Sequence, residues 1–200
     1  MVDVDGVLIR HDEGQRWDST LSRDLGIDPV ALDAEFFARH FKDVILGRAD
    51  LEERLGLALT KIASNVGVHQ LMDYWFSHDA PLDAKLLGDL RDARRQGLQL
   101  HLVTVQEHHR ARYLWETLNL RADFDAMHYA AELGCAKPDV LFFRAVERRV
   151  QLRPEELLLI DDRQENVEAA ASCGWGAHLW TRGSTLNDTL INRPGLRTAP

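Results

Sequence analysis

The sequence predicts an α/β fold in which a parallel sheet core is interrupted once by a small, all-helical insertion. From about Pro81 onward, apolar runs of strand length alternate with helical stripes across short turns, the pattern of a parallel α/β sheet. Between Gly14 and Ala80 the pattern changes to helix starts without a convincing strand. The expected division is therefore residues 1–13 and 81–200 for the core and 14–80 for the insertion. A chain of 200 residues with 45% hydrophobic content is large enough for one sizeable core plus such an insertion, and too small for two full domains.

The elements follow in order. Met1-Val-Asp-Val-Asp-Gly-Val-Leu8 opens as a strand of about four residues that turns out at Gly6. In the insertion, Asp28-Pro29 is an N-cap followed by proline at N1, and Asp50 caps a run with apolar positions at Leu51, Leu55, Leu59 and Ile62. Leu82, Leu86, Leu90 and Ala93 form the next stripe, with Gly97 placed to end that helix. Leu98 to Thr104 reads as a strand and Ala111, Leu114, Trp115 and Leu118 as a helix stripe. Phe124 to Ala130 reads as a short strand, Pro138 to Val150 as a helix and Leu157 to Ile160 as a buried strand. A last unit pairs a helix from Glu165 to Cys173, ending at Gly174, with a strand from Ala177 to Trp180; the tail from Asn192 to Pro200 reads as frayed. Trp115, Trp175 and Trp180 fit core packing, while Trp17 and Trp75 stand open between hinge packing and substrate contact.

Charge and composition narrow the function. Thirty-two acidic against twenty-four basic residues give a net charge of −8, and no Lys/Arg cluster is dense enough to follow a phosphate backbone, which argues against nucleic acid as a partner. Cys135 and Cys173 form no C-x-x-C and read as free, structural thiols in a reducing compartment. No apolar run approaches the ~20 residues of a membrane span. The chain runs at once into charged residues, unlike a signal peptide. A cytoplasmic enzyme, monomeric or homodimeric, is the expectation.

Four polar motifs sit at strand ends or helix starts. Asp3 and Asp5 are one residue apart, so an extended strand points both the same way, the geometry of a nucleophile paired with a general acid. By itself this run also describes a solvated acidic turn. Leu98-Gln-Leu-His-Leu-Val-Thr104 ends in a hydroxyl, Lys137 lies in Gly134-Cys-Ala-Lys-Pro-Asp139, and Leu157-Leu-Leu-Ile-Asp-Asp162 ends in two carboxylates. Acid pair, hydroxyl, lysine and acid pair, in that order, resemble the haloacid dehalogenase-like hydrolase superfamily, most of whose members are phosphatases. The resemblance runs from Met1 to about Trp180.

The resemblance implies a Rossmann-like parallel sheet core whose helical insertion caps the site, excludes water and carries substrate choice. It also implies a magnesium-dependent phosphatase acting on a small phosphorylated metabolite, such as a sugar phosphate, through an aspartyl-phosphate. Asp3 would be the nucleophile. Asp5 would protonate the leaving alkoxide and later take a proton from water. Thr104, helped by the N–H groups after it, would bind the phosphoryl oxygens, and Lys137 would neutralise their charge and hold the nucleophile. Mg2+ would sit on Asp3, the Asp5 backbone carbonyl and Asp162, with Asp161 orienting water or Lys137; the reverse assignment of Asp161 and Asp162 stays open. Arg48 lies in a stretch from which related caps reach substrate, and also reads as a plain surface arginine.

Alternatives remain at this point. Dehalogenation attacks carbon and needs neither metal nor the proton donor at Asp5, so phosphate ester cleavage is favoured. Sugar phosphomutases share the aspartate pair, and a catalytically silent binding module fits a shortened first strand. A receiver domain fits poorly, because its phosphorylated aspartate lies mid-chain on a third strand. Val105 follows Thr104 where the family usually has asparagine, which leaves only the backbone N–H at that position. Glu107, His108 and His109 read as a solvated helix start or a substrate-edge contact, and His101 as a satisfied core histidine. Only Met1 and Val2 precede Asp3, against a typical strand of about five or six residues. The gene product is therefore expected to begin a few residues upstream, with an apolar run.

Overall fold

The computed structural model describes residues 1–12 and 14–191, without the side chain of the last; the tail from Asn192 to Pro200 lies outside the described residues. Four strands form the sheet: β1 (His101–Thr104), β2 (Ala126–Tyr129), β3 (Leu158–Asp161) and β4 (Gly176–Leu179). β1 pairs with β2 and β3 with β4, both in parallel. Val2 joins the two pairs through parallel bridges to Leu102 and Ile160, which gives the order β2, β1, Val2, β3, β4. The expected opening strand is thus reduced to a single residue bridged on both sides. Val2 N–H donates to His101 O at 2.8 Å, Asp3 N–H donates to Ile160 O at 2.9 Å, and the Met1 ammonium donates to Leu158 O at 2.9 Å.

Alternation along β1 and β3 sends side chains to two covered faces. Leu102 and Ile160 pack with Leu86, Leu90 and Ala93 of the helix Ala84–Arg95, whereas Val103 and Leu159 pack with Phe142, Phe143 and Val146 of the helix Val140–Val150. Trp180 is buried on the first face and Trp175 on the second, and Trp115 is partly buried on the first. The Trp175 indole N–H donates to Glu147 Oε1 at 2.8 Å.

Several boundaries differ from the sequence reading for identifiable reasons. Leu100 precedes β1 because its N–H goes to the Asp125 carboxylate at 2.8 Å. The helix expected from Pro138 starts at Val140, since Asp139 is the cap and accepts the Leu141 N–H at 2.9 Å. The stripe after Thr104 divides into the helix His108–Arg112 and a wide π-helical turn at Tyr113–Thr117. Gly97 does terminate the helix Ala84–Arg95, following the C-cap Gln96 with φ +96°.

Residues between 17 and 76 build a separate helical cluster around Leu21, Phe36, Leu55, Leu71 and Trp75. Asp28 and Asp50 cap their helices as expected, accepting from Val30 N–H and Glu53 N–H, each at 3.0 Å. Trp17 stacks on Trp75 with ring centroids 5.3 Å apart. The chain leaves and re-enters the core side by side: Arg10 N–H donates to Pro81 O at 3.1 Å, and Asp83 N–H donates to Leu8 O at 2.8 Å.

His101 is half-buried and stacks on His128, with Nδ1 of the first 3.1 Å from Nε2 of the second. His128 is buried, and its Nδ1 has no partner among the described residues. Burial, followed by the nearby His101 and Arg149 charges, lowers the His128 pKa to about 4. The folded chain therefore holds this imidazole neutral, while the unfolded chain protonates it below its ordinary value of about 6.5. Stability from this residue is present above that value and is lost as pH falls towards 4. The thermal midpoint of His128→Leu should fall less than that of the native sequence across this window; parallel profiles would refute the assignment.

Candidate active site

The C-terminal ends of the central strands carry the polar motifs to one place. Asp3 follows Val2 directly, Thr104 ends β1 and Asp161 ends β3, while Lys137 lies in the loop before the helix Val140–Val150. Open α/β sheets place their ligands beyond these strand ends. Asp3, Thr104, Lys137 and Asp161 are all buried; Asp5 and Asp162 are exposed and Val105 is half-buried.

Lys137 is the junction. Its ammonium donates to Asp161 Oδ2 at 2.5 Å and to Val103 O at 2.8 Å, and lies 3.0 Å from Asp3 Oδ1. An ammonium has three N–H donors, so these acceptors occupy all of them. Asp3 Oδ1 also accepts the Val4 N–H at 2.8 Å. Burial nevertheless raises the Asp3 pKa to about 7, with Asp161 and Asp5 adding to the rise and Lys137 opposing it.

Asp161 and Asp162 have different surroundings. Asp161 Oδ1 accepts from Arg163 N–H at 3.0 Å and Asn166 Nδ2 at 2.9 Å, so both its oxygens have protein donors. Asp162 lies against Gly6, where φ is +81° and a Cβ would come within 2.0 Å of Asp162 Oδ2. Only glycine allows that approach. Loss of water and the adjacent Asp161 charge raise the Asp162 pKa. Asp3, Asp161 and Asp162 offer oxygens that all lie within 4.8 Å of one another. This is a hard-oxygen donor set carrying more negative charge than one ammonium offsets, and it fits a divalent ion such as Mg2+.

Asp5 has its own partners. Gln106 Nε2 donates to Asp5 Oδ2 at 2.6 Å. The Asp5 carboxyl has open surface, yet protein surrounds it at longer range; this loss of water raises its pKa, and the Arg110 guanidinium is the chief opposing influence. Arg110 is buried, donates through Nη1 to Phe76 O at 2.8 Å and through Nη2 to Asp79 O, and lies over the Phe76 and Tyr113 rings. Asp79 in turn meets His11 Nε2 at 2.6 Å. One arginine on the core helix thus holds the returning end of the helical insertion.

The remaining candidates fall elsewhere. Arg48 is exposed and 3.9 Å from Asp43, so the structure does not join it to the acidic cluster. Its neighbour Gly47 does pack on the core, where a Cβ would meet Ala131 O at 2.4 Å. Glu107 is buried and caps the helix His108–Arg112, with its carboxylate accepting from the His109 and Arg110 N–H groups. His109 Nε2 lies 3.1 Å from Asp50 Oδ2, a further link to the helical insertion. Gln106, Arg110 and Asn166 were not singled out in the sequence. An amide two residues past the strand hydroxyl was the available signal for Gln106.

A family model for haloacid dehalogenase-like hydrolases matches residues 1–174. The chain belongs to this family. Among curated relatives of this haloacid dehalogenase-like chain, a sesquiterpene phosphatase of Aspergillus oryzae is 31% identical over 104 residues, covering 48% of this chain and 50% of that protein. The chain thus spans about half the length of that relative. A HAD family enzyme of Bacteroides thetaiotaomicron, solved in complex with magnesium and inorganic phosphate, superposes with a TM-score of 0.76 at 18% identity, over 94% of this chain and 96% of that one. A predicted HAD-like hydrolase of Porphyromonas gingivalis gives 0.74 at 22% identity, over 95% and 94%. These structures share the fold, which is the Rossmann-like α/β arrangement with parallel strands. No helix among the described residues is long and apolar enough to cross a membrane.

Removing Lys137 would leave two buried carboxylates facing each other. Lys137→Met should therefore destabilise the chain by about 3–5 kcal/mol at pH 8. The loss should shrink as pH falls towards about 5, because without the ammonium's opposing influence Asp3 takes up a proton more readily and one of the two negative charges disappears. Urea unfolding at both pH values checks this; unchanged stability at pH 8 would contradict the junction.

Proposed function

We propose that this chain is a magnesium-dependent phosphoric monoester hydrolase that works through an aspartyl-phosphate on Asp3. The observation that carries the reading is one buried carboxylate, Asp3, held by a lysine beside Asp162 and two residues before a second carboxylate with its own partner. Phosphoryl transfer depends mainly on positioning and electrostatics, and this is what the arrangement supplies.

Asp3, Asp162 and the Asp5 carbonyl would hold the ion, with Asp161 committed to Lys137, Arg163 and Asn166. A bound Mg2+ would supply positive charge that offsets the repulsion between these carboxylates and the phosphate ester. Lys137 keeps Asp3 in place, and the Thr104 hydroxyl and Val105 N–H bind non-bridging oxygens. Asp3 attacks phosphorus as the ester P–O bond breaks, and Asp5 gives its proton to the departing oxygen. Water then attacks the phosphorus, its proton passes to Asp5, and the P–O bond to Asp3 breaks to release phosphate and restore both carboxyls.

The helical unit over these residues would act as the cap. Its aromatic residues, with Phe37, Phe41 and Trp17 half-buried around Trp75, together with Tyr113 of the core against Phe76, favour an apolar alcohol as leaving group. The relative named as a sesquiterpene phosphatase supports the same reading. A terpenoid monophosphate is thus favoured over a sugar phosphate. Phosphate release measured on both esters should require magnesium, stop in excess chelator, and be at least about tenfold more efficient for the terpenoid ester, a difference of about 1.4 kcal/mol. Full activity in chelator would overturn the metal, and the reverse ratio would overturn the substrate class.

A further inference from the structure

Gln106 reaches both Asp5 and the end of β1. Its Nε2 donates to Asp5 Oδ2 at 2.6 Å and lies 3.4 Å from Thr104 Oγ1. The residue is only 5% exposed. Its backbone is fixed on both sides: Gln106 O accepts the Ala131 N–H at 3.1 Å, and the following Glu107 caps the next helix. We propose that Gln106 is the positioning residue for Asp5, holding its carboxyl in one orientation through both proton transfers. This inference rests on the phosphatase reading above.

The chemistry of a primary amide suits that task. Asp5 must carry a proton when the ester breaks and lack one when water attacks, so its partner must serve both a carboxylic acid and a carboxylate. A carboxylate only accepts hydrogen bonds, and the amide nitrogen donates to it. A carboxylic acid can donate, and a half-turn of the amide presents its carbonyl oxygen as acceptor. Glutamate could not donate to the carboxylate, and lysine could not accept from the acid. Among the described residues Asp5 Oδ1 has no hydrogen bond, so anchoring Oδ2 leaves Oδ1 for the ester oxygen. Arg110, Asp79, Lys137 and Asp3 act on Asp5 through charge, and none of them is hydrogen-bonded to it. They set its electrostatic surroundings, while Gln106 sets its direction. The second amide N–H points the same frame at Thr104, so the proton donor and the phosphoryl-binding hydroxyl are held relative to each other.

The test uses Gln106→Met, which keeps the length and removes the donor, with an alkyl phosphate and an activated nitrophenyl phosphate as substrates. A poor leaving group needs the proton and a good one does not. Read as the single-turnover rate of ester cleavage, which precedes water attack on the aspartyl-phosphate common to both esters, the expected result is a fall of about 10- to 100-fold on the alkyl ester, part of the usual contribution of a general acid. KM should stay within about twofold, and the activated ester within about threefold, of the native values. An equal fall on both esters, a change confined to KM, or no change would overturn the proposal. If Gln106→Met loses its cooperative thermal transition, the isosteric Gln106→Glu decides by the same ratio. A native chain that cleaves neither ester would instead overturn the phosphatase reading, so the two failures are distinguishable.

Discussion

The ammonium of Lys137 is the constraint on which the rest of the site depends. Its three acceptors come from three separate parts of the chain: Asp3 after the opening bridge, Val103 in β1, and Asp161 at the end of β3. A buried charge is tolerated only when paired and hydrogen-bonded. Each of these contacts therefore fixes the position of a strand end as well as a side chain. The opposing requirement is equally physical. Burial, with the Asp161 and Asp5 charges adding to it, raises the Asp3 pKa to about 7 against the pull of Lys137, and the three carboxylates Asp3, Asp161 and Asp162 around one ammonium favour a further cation.

The structure separates carboxylates saturated by protein donors from carboxylates left open. Asp161 is saturated by Lys137, Arg163 and Asn166, whereas Asp162 stands exposed against Gly6. The same separation recurs between the two aspartates of the opening run: Asp3 is buried against the lysine, and Asp5 faces Gln106 with open surface. The helical unit is tied to this floor at several points. Arg110 holds Phe76 O and Asp79 O, His109 meets Asp50, and Gly47 packs on Ala131. These ties hold that unit against the core through Arg110, whose charge also acts on Asp5.

Much of the fold was legible because its signals are local. Asp28, Asp50 and Gly97 mark helix ends through their own backbone geometry, and alternation in β1 and β3 follows from two covered faces. Asp3, Thr104, Lys137 and Asp161 could be grouped because parallel strands deliver their C-terminal residues to one edge. Gln106 and Arg110 were missed for the opposite reason. Their partners, Asp5 and the chain from Phe76 to Asp79, are remote in sequence, and no local pattern distinguishes either residue from a solvated helix start. The helix begins at Val140 rather than Pro138 because a proline and the adjacent Asp cap give overlapping signals, and Asp139 accepts the capping bond. The opening strand was read as about four residues, yet only Val2 is bridged on both sides.

In the proposed reaction a carboxylate oxygen of Asp3 takes the phosphoryl group. Acid-quenched turnover of a phosphorus-labelled ester, followed by peptide mapping, measures this directly. Label should appear on the peptide containing Asp3 in the presence of magnesium, and should be absent from the Asp3→Asn chain. Steady turnover with no labelled peptide, or label on a peptide that lacks Asp3, would contradict the account.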